Sequence, residues 1–405
     1  AAVGGALAHA ALGGAGARAL GFCLRALGGA FDAPVEGVAW VGSASLAALQ
    51  LGGPLGSALS RRYGPRPVVM AGGLLSALGL ALGAVATTLS HLYLSVGLLA
   101  GLGWALIFTP SLAAIGLSVP AQRRPWATAG AVATGSLAGL AMASVLPVLL
   151  DTYGWRGALL VLAAISFHSV AAGALLRPLP LIPLQTPPAT PGVAGLLRHG
   201  PFLRFAAAFT LLDAGYFVPL LHGEALAHDL GYGGYLAGLL VATIAALDGA
   251  GRLVAGWLAA RPAASLLRQL FAWAVLTGSA MLLLPFATNF GVLVATAASY
   301  GFCAGAVVPL QFAGVAQVAG EGSLTEAIGL MQMFESFGSL LGPPLAGWLR
   351  DLTGNFTASF LTAGTLLLAG TLLLPTLPGF FLTARGAGGK EGASCPPPPW
   401  LRPPS

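Results

Sequence analysis

Apolar stretches long enough to form membrane-crossing helices follow one another along this chain, with only short polar segments between them. A helix needs about 20 mainly apolar residues to cross the hydrocarbon core of a bilayer. Charged residues make up only 7% of the sequence, whereas an average soluble domain contains about 25%. The sequence therefore predicts an all-α membrane protein with many spans and excludes a soluble protein.

We predict twelve transmembrane helices in two bundles of six. The predicted spans cover approximately residues 1–29, 38–60, 67–89, 92–119, 125–150, 157–176, 201–221, 234–260, 264–287, 290–318, 327–348 and 357–377. The proline-rich stretch 177–200 cannot continue a helix, because proline lacks a backbone N–H and clashes with the preceding turn. We therefore predict bundles at 1–176 and 201–378, a cytoplasmic linker between them, and a disordered cytoplasmic tail at 379–405.

A weak internal repeat supports the division into two halves. Asp151-x-x-Gly154, between the fifth and sixth spans, recurs as Asp351-x-x-Gly354 between the eleventh and twelfth. Transporters with halved architectures carry such repeats. The chain begins at Ala1 rather than at Met, from which we expect a truncated start.

The basic residues in the loops are strongly asymmetric. The loops on one side and the tail hold most of them, whereas the loops on the other side hold only Arg156 and Arg350. Short loops rich in Lys and Arg stay in the cytoplasm. We therefore expect both termini to be cytoplasmic, and a basic surface for nucleic acid is excluded.

The residues needed for an enzyme or for a metal site are not found together. The three cysteines, Cys23, Cys303 and Cys395, are odd in number and widely spaced, so no disulfide framework or metal site follows. A membrane enzyme would need a nucleophile with its base, or a metal cluster, at membrane depth, whereas His9, His168 and His222 lie apart with no cysteine or acid at ligand spacing. A receptor would have seven spans. We expect no cofactor and no enzymatic activity.

Asp248 and Arg252 interrupt the apolar eighth span and lie four residues apart, on one face of the helix. A charge at the centre of a bilayer costs about 2.5–3.5 kcal/mol, and ionisable groups there usually serve a function. Arg252 can hold a carboxylate with its planar guanidinium fork, while Asp248 can take up a proton and release Arg252 for that purpose. A static ion pair that locks two helices together is the alternative.

Three more ionisable residues lie inside predicted spans. Arg25, in the first span, would add a second positive charge to a central cavity, unless its side chain reaches out to the membrane interface. Asp213 and Glu335 are expected either to relay a proton and line the cavity, or to accept a hydrogen bond from a neighbouring helix. We expect Arg123 and Arg124, at a turn before the fifth span, to set the topology and to contribute to gating.

Several long motifs resemble one known family. They are GSALSRRYGPRPVVMAGG after the second span, the segment DTYGWRG at 151–157, the Asp248-x-x-x-Arg252 pair, and GLMQMFESFGSLLGPPLAGWLRDLTGNFTASF near the end. Together with the twelve spans they make the chain similar, over nearly its whole length, to the proton-linked monocarboxylate transporters of the major facilitator superfamily. The resemblance implies the fold of that superfamily, with two six-helix bundles.

The resemblance also implies roles for individual residues. Asp248 and Arg252 match the family's essential pair, and Arg25 matches its cation in the first helix, which exchanges a proton with the Asp while the Arg holds the substrate. Arg123 and Arg124 match its basic loop. Ala304 stands where better-known members have a Phe that narrows the pocket, which implies a wider site.

We therefore expect symport of a small monocarboxylate, of the lactate or pyruvate type, with a proton. The alternative is a facilitator of another organic anion or a neutral solute, in which Asp248 and Arg252 form a gate. The expected location is the plasma membrane, with the Golgi membrane as the alternative. Some members of the family need a basigin-type single-span glycoprotein as a partner.

Overall fold

The structure is a computed structural model that describes residues 30–31, 35–176, 193–232, 235–261, 265–378 and 380. The described residues form helices and no strands. The helices are α1 Val35–Leu51, α2 Gly53–Tyr63, α3 Pro65–Ala84, α4 Leu89–Leu92, α5 Gly101–Ser118, α6 Arg124–Ala174, α7 Val193–Leu196, α8 Gly200–Tyr216, α9 Val218–Asp229, α10 Tyr235–Ala259, α11 Leu266–Leu283, α12 Phe290–Ala319, α13 Leu324–Thr353 and α14 Thr357–Thr371. The first predicted span, with Arg25, and nearly all of the predicted tail lie outside the described residues.

The described helices lie where the second to twelfth spans were predicted. Eight helical segments of the described chain are long and apolar enough to cross a membrane. The other helices at predicted spans are α1 with α2, the first part of α6, and α13. We call α1–α6 the first half and α8–α14 the second half. The helices α1, α2, α6 and α13 make most of the described contacts between the two halves.

Three of the predicted continuous spans are irregular. The seventh is broken at Phe217, between α8 and α9, two residues before Pro219, which has no N–H to offer the carbonyl of Gly215. The second is broken at Gly52, two residues before Pro54. The fourth contains a π-helix, Tyr93–Ala100, between α4 and α5. The apolar pattern of the sequence did not predict these interruptions.

Helix α6 contains two spans. Its 51 residues would extend about 77 Å as one straight helix, far beyond the roughly 30 Å core of a bilayer. The chain turns at Gly154, where φ is 65° and ψ is 178°, a conformation that glycine adopts without steric cost. The repeat partner Gly354 ends α13 with φ 75° and ψ 0°, so both glycines of the predicted repeat have a positive φ, although their ψ angles differ.

Each half has an apolar core. The core of the first half surrounds Trp104 and Leu80, and that of the second half surrounds Phe202, Phe205 and Tyr300. The second core also includes Leu112, Ala113 and Val132 from the first half. Leu196, at the end of the predicted linker, is fully buried in it, so this end of the linker packs against the second half instead of remaining free.

The halves approach each other closely where α2 crosses α13. A Cβ atom on Gly53 would lie 2.6 Å from the carbonyl oxygen of Gly329, and one on Gly329 would lie 2.6 Å from that of Gly53. Small residues at such crossings let membrane helices pack backbone against backbone. A second contact, between α6 and α10, brings the predicted charged pair to the boundary between the halves.

Candidate functional site

Asp248 and Arg252 form a two-point ion pair on α10. The Nε of Arg252 donates to Oδ2 of Asp248 at 3.0 Å, and its Nη2 donates to Oδ1 at 3.1 Å. Asp248 is 5% exposed and Arg252 is 7% exposed. The i, i+4 spacing thus brings the two groups together as the sequence predicted. Both are buried in this conformation, and a central cavity that reaches them remains a prediction.

The first half also contacts this pair. The hydroxyl of Ser136, on α6, donates to Oδ2 of Asp248 at 2.8 Å. The third guanidinium nitrogen, Nη1 of Arg252, donates to the backbone carbonyl of Val132 at 3.3 Å. The charged pair therefore lies between the halves, where alternating-access transporters bind their substrates. Ser136 was not predicted as a site residue, because one serine in an apolar span carries no distinctive signal.

Two tyrosines complete the surroundings of the carboxylate. The hydroxyl of Tyr216, on α8, donates to Oδ1 of Asp248 at 3.1 Å. The hydroxyl of Tyr300, on α12, donates to the backbone carbonyl of Tyr216 at 2.6 Å. A tyrosine hydroxyl in an apolar interior needs a polar partner. This rule alone would have marked both residues as candidates, although it would not have named their partner.

Asp213 and Glu335 belong to a second polar cluster in the second half. The amide of Gln311, on α12, donates a hydrogen bond to the carboxyl group of Glu335. Asp213 is half-buried on α8 and interacts electrostatically with Glu335. Glu335 therefore has the hydrogen bond from a neighbouring helix that was one of the two expectations. A proton relay through these residues remains a prediction.

The other predicted site residues lie apart from the charged pair. Arg123 is exposed in a turn before α6. Arg124 is buried, and its Nε donates to the carbonyl of Gly116 at 2.7 Å, which satisfies a carbonyl in the last turn of α5. Ala304 is buried in α12, beside the glycine that packs against Asp248. A gating role for the arginines and a wider pocket at Ala304 remain predictions, as does the role of Arg25.

Side chains from both halves meet near the basic turns. Arg61, at the end of α2, forms an ion pair with Glu326 in the first turn of α13. Thr109, on α5, donates to the side chain of Gln332, on α13, at 2.5 Å. These contacts close the boundary between the halves on this side of the molecule.

Loss of the Arg61–Glu326 pair is expected to loosen this closure. The Arg61 side chain is 58% exposed and that of Glu326 is 7% exposed. Such a partly exposed pair contributes on the order of 1 kcal/mol. Glu326→Gln should therefore raise the rate at which a maleimide labels a Thr109→Cys variant by no more than about fivefold, in a parent whose Cys23, Cys303 and Cys395 are replaced by Ser.

Two controls separate the ion pair from a general effect of charge. Arg62→Gln removes an exposed charge that stacks on the Tyr63 ring instead of pairing with Glu326, and it should leave the labelling rate unchanged. The double exchange Arg61→Glu with Glu326→Arg should restore the parental rate. Equal labelling in the Glu326→Gln variant and its parent would show that the pair does not hold the halves together.

Comparison with known proteins agrees with this architecture. The sequence profile of the Major Facilitator Superfamily matches residues 7–272 and, in a second match, residues 203–400. The crystal structure of the human organic anion transporter MFSD10 (TETRAN) superposes with a TM-score of 0.75, at 19% identity, over 92% of this chain and 98% of that one. Fold and profile together define a multi-pass membrane transporter and not an enzyme.

Two relatives narrow the assignment. Monocarboxylate transporter 13 of Bos taurus is 48% identical over 355 residues, which are 87% of this chain and 83% of that protein. Monocarboxylate transporter 11 of Mus musculus is 44% identical over 374 residues, which are 89% of this chain and 83% of that protein. The chain belongs to the monocarboxylate transporter family of the Major Facilitator Superfamily.

Proposed function

We propose that the protein carries a small monocarboxylate of the lactate or pyruvate type across the membrane together with a proton, by alternating access. The observation that carries the proposal is the buried, two-point Asp248–Arg252 pair at the boundary between the halves. The names of its relatives support a monocarboxylate as the substrate.

The pair supplies a physical reason for coupling. Breaking a buried ion pair by removing one partner costs about 3–5 kcal/mol, because the remaining charge is left uncompensated. A proton on Asp248 would leave the buried positive charge of Arg252 uncompensated. A substrate carboxylate would then take the place of the Asp248 carboxylate and restore neutrality. Proton and anion therefore stabilise each other's binding, whereas either one alone leaves an unbalanced charge.

The two halves would then move relative to each other, so that the site closes on one side of the membrane and opens on the other. Closure near the basic turns, through Arg61 and Glu326, corresponds to one of these states. We place the basic turns and both termini in the cytoplasm, because the positive charges of the loops are concentrated there. Arg25 would contribute a second positive charge from the first half. The plasma membrane is the proposed location, and a basigin-type glycoprotein is the proposed partner for reaching it.

Proteoliposomes test the proposal directly. Radiolabelled lactate or pyruvate should accumulate when the outside is more acidic than the lumen. With one proton per anion, a gradient of about one pH unit should drive about tenfold accumulation, since a tenfold ratio corresponds to about 1.4 kcal/mol. Uptake that ignores the gradient, or that survives Arg252→Ala, would reject the proposal in favour of a facilitator with the pair as a gate.

Asp248→Asn should separate the coupling of transport to the proton gradient from the binding of the substrate anion. An asparagine resembles the protonated aspartic acid in shape and charge, so the substrate can still pair with Arg252. The empty carrier, however, would hold an unbalanced buried charge and return slowly. We expect exchange of internal for external lactate to persist while accumulation driven by the proton gradient is lost. Proton-driven accumulation that remains in Asp248→Asn would show that another group carries the proton.

A further inference from the structure

The carboxylate of Asp248 lies in a symmetrical set of hydrogen-bond donors. Oδ2 accepts from Arg252 Nε at 3.0 Å and from the Ser136 hydroxyl at 2.8 Å. Oδ1 accepts from Arg252 Nη2 at 3.1 Å and from the Tyr216 hydroxyl at 3.1 Å. From the described residues, each oxygen thus receives one guanidinium and one hydroxyl donor. We call these four groups the carboxylate cradle.

The cradle is built from three helices and both halves. Ser136 lies on α6 in the first half, Tyr216 on α8, and Arg252 on α10. Tyr216 is itself held by the Tyr300 hydroxyl, which donates to its backbone carbonyl. Two of the four donors, the Ser136 and Tyr216 hydroxyls, are therefore held by helices other than α10, which carries Asp248 and Arg252. Such a preorganised set of donors suits any planar carboxylate of suitable size.

We propose that the Ser136 and Tyr216 hydroxyls bind the carboxylate of the transported anion alongside Arg252, in the carboxylate cradle that Asp248 occupies when the protein is empty. The inference rests on the proposed function and adds two substrate-binding hydroxyl groups, one from each half. The ligand class is a monocarboxylate, whose two oxygens match the four donors.

Protonation of Asp248 exchanges one carboxylate for the other. The proton neutralises the Asp248 carboxyl group, which then needs fewer donors and leaves the cradle. The two oxygens of the substrate accept the four donor hydrogens, and the charge of Arg252 is again balanced. The bound anion would then contact Ser136 of the first half as well as Tyr216 and Arg252 of the second half. Both halves would therefore interact directly with the substrate.

The titratable groups around Asp248 are few in the described part of the chain. Helix α10 contributes Arg252, α8 contributes Tyr216, and α12 contributes Tyr300, whereas α6 contributes the Ser136 hydroxyl and the Val132 carbonyl. Asp213, on α8, interacts with Tyr300 and with Glu335. Among the described residues, Asp248 is the acid that is bonded to the cradle donors, so we expect its protonation to contribute to the pH dependence of uptake.

The test compares the KM for lactate in Ser136→Ala and Tyr216→Phe proteoliposomes with that of the parent. Measurements are made at an external pH low enough that further acidification no longer changes uptake. If the hydroxyls bind the substrate, each variant should raise KM by about tenfold or more, the effect of losing one hydrogen bond to a charged group. This increase should persist at saturating proton concentration.

A purely positioning role gives a different result. If Ser136 and Tyr216 only stabilise the ionised Asp248, their loss makes Asp248 easier to protonate, and the midpoint of the pH profile moves to higher pH. The KM at saturating proton concentration would then equal that of the parent. That outcome overturns the proposal.

Matched variants control for folding and for hydroxyl loss elsewhere. Ser299→Ala removes a hydroxyl that bonds to its own helix at Ala295, and Tyr153→Phe alters an exposed tyrosine. Both should keep the parental KM. Ser136→Thr retains the hydroxyl and should have a KM close to the parental value. If Ser136→Ala is too unstable to assay, Tyr216→Phe and Ser136→Thr still test the proposal.

The inference and the function it rests on fail in different ways. Uptake that survives Arg252→Ala, or a parent that shows no saturable uptake of lactate or pyruvate, rejects both. Loss of uptake in Arg252→Ala together with parental KM values in Ser136→Ala and Tyr216→Phe rejects only the carboxylate cradle as the substrate site.

Discussion

Arg252→Lys is expected to reduce monocarboxylate uptake by about 100-fold, although it keeps the positive charge. Lysine is a point charge and cannot reproduce the planar fork that donates to both oxygens of one carboxylate. Loss of one hydrogen bond to a charged group costs about 1.5–3 kcal/mol. The measurement is initial uptake in proteoliposomes with matched protein content.

Arg268→Lys is the matched control for this change. Arg268 is exposed at the start of α11, far from the charged pair in sequence, so the same substitution there should leave uptake unchanged. Parental uptake by Arg252→Lys would mean that the substrate needs only a positive charge in the site. The two-point geometry seen with Asp248 would then not describe how the substrate binds.

Gly251→Ala is expected to cause the largest loss of stability. A Cβ atom at this position on α10 would lie 1.9 Å from the carbonyl oxygen of Phe302 on α12. The obstacle is backbone, so the two helices must move apart, and overpacking of this kind costs about 3 kcal/mol. The same crossing holds the site, because a Cβ on Gly305 would lie 2.1 Å from the carbonyl oxygen of Asp248.

The stability loss is measured as the temperature at which half of the detergent-solubilised protein is lost from the monodisperse fraction. Gly238→Ala provides the control on the same helix, because a Cβ there meets nothing within 4 Å. It should leave this temperature unchanged. If Gly251→Ala were as stable as Gly238→Ala, the close approach of α10 and α12 would not contribute to the stability of the second half.

The charged pair was predictable because its two members belong to one helix. Asp248 and Arg252 are four residues apart, and helical geometry alone brings them to the same face. The donors that complete the cradle were not predictable. Ser136 is 112 residues from Asp248 in the chain, and Tyr216 is 32 residues away. Their contribution depends on how α6, α8 and α10 are packed.

The same distinction applies to the other ionisable residues. The basic turn at Arg61 was evident from the sequence, but its partner Glu326 is 265 residues away. Glu335 was expected to need a hydrogen-bond donor, and only the packing of α12 against α13 identifies that donor as Gln311. The break in the seventh span lies beside Pro219, but Pro110 and Pro309 lie inside unbroken helices, so the presence of a proline did not by itself predict the break.

The order of residues was enough to predict a helical membrane transporter with a charged pair in its eighth span. Hydrophobicity and helical periodicity are local properties, and a charge in lipid is costly enough to mark its position as a candidate site. The position of the pair between the halves, with a serine from one half and a tyrosine from the other bonded to its carboxylate, became evident only from the packing of the helices. Contacts between distant segments depend on how whole helices pack, and the pattern of residues along one helix does not specify its neighbours.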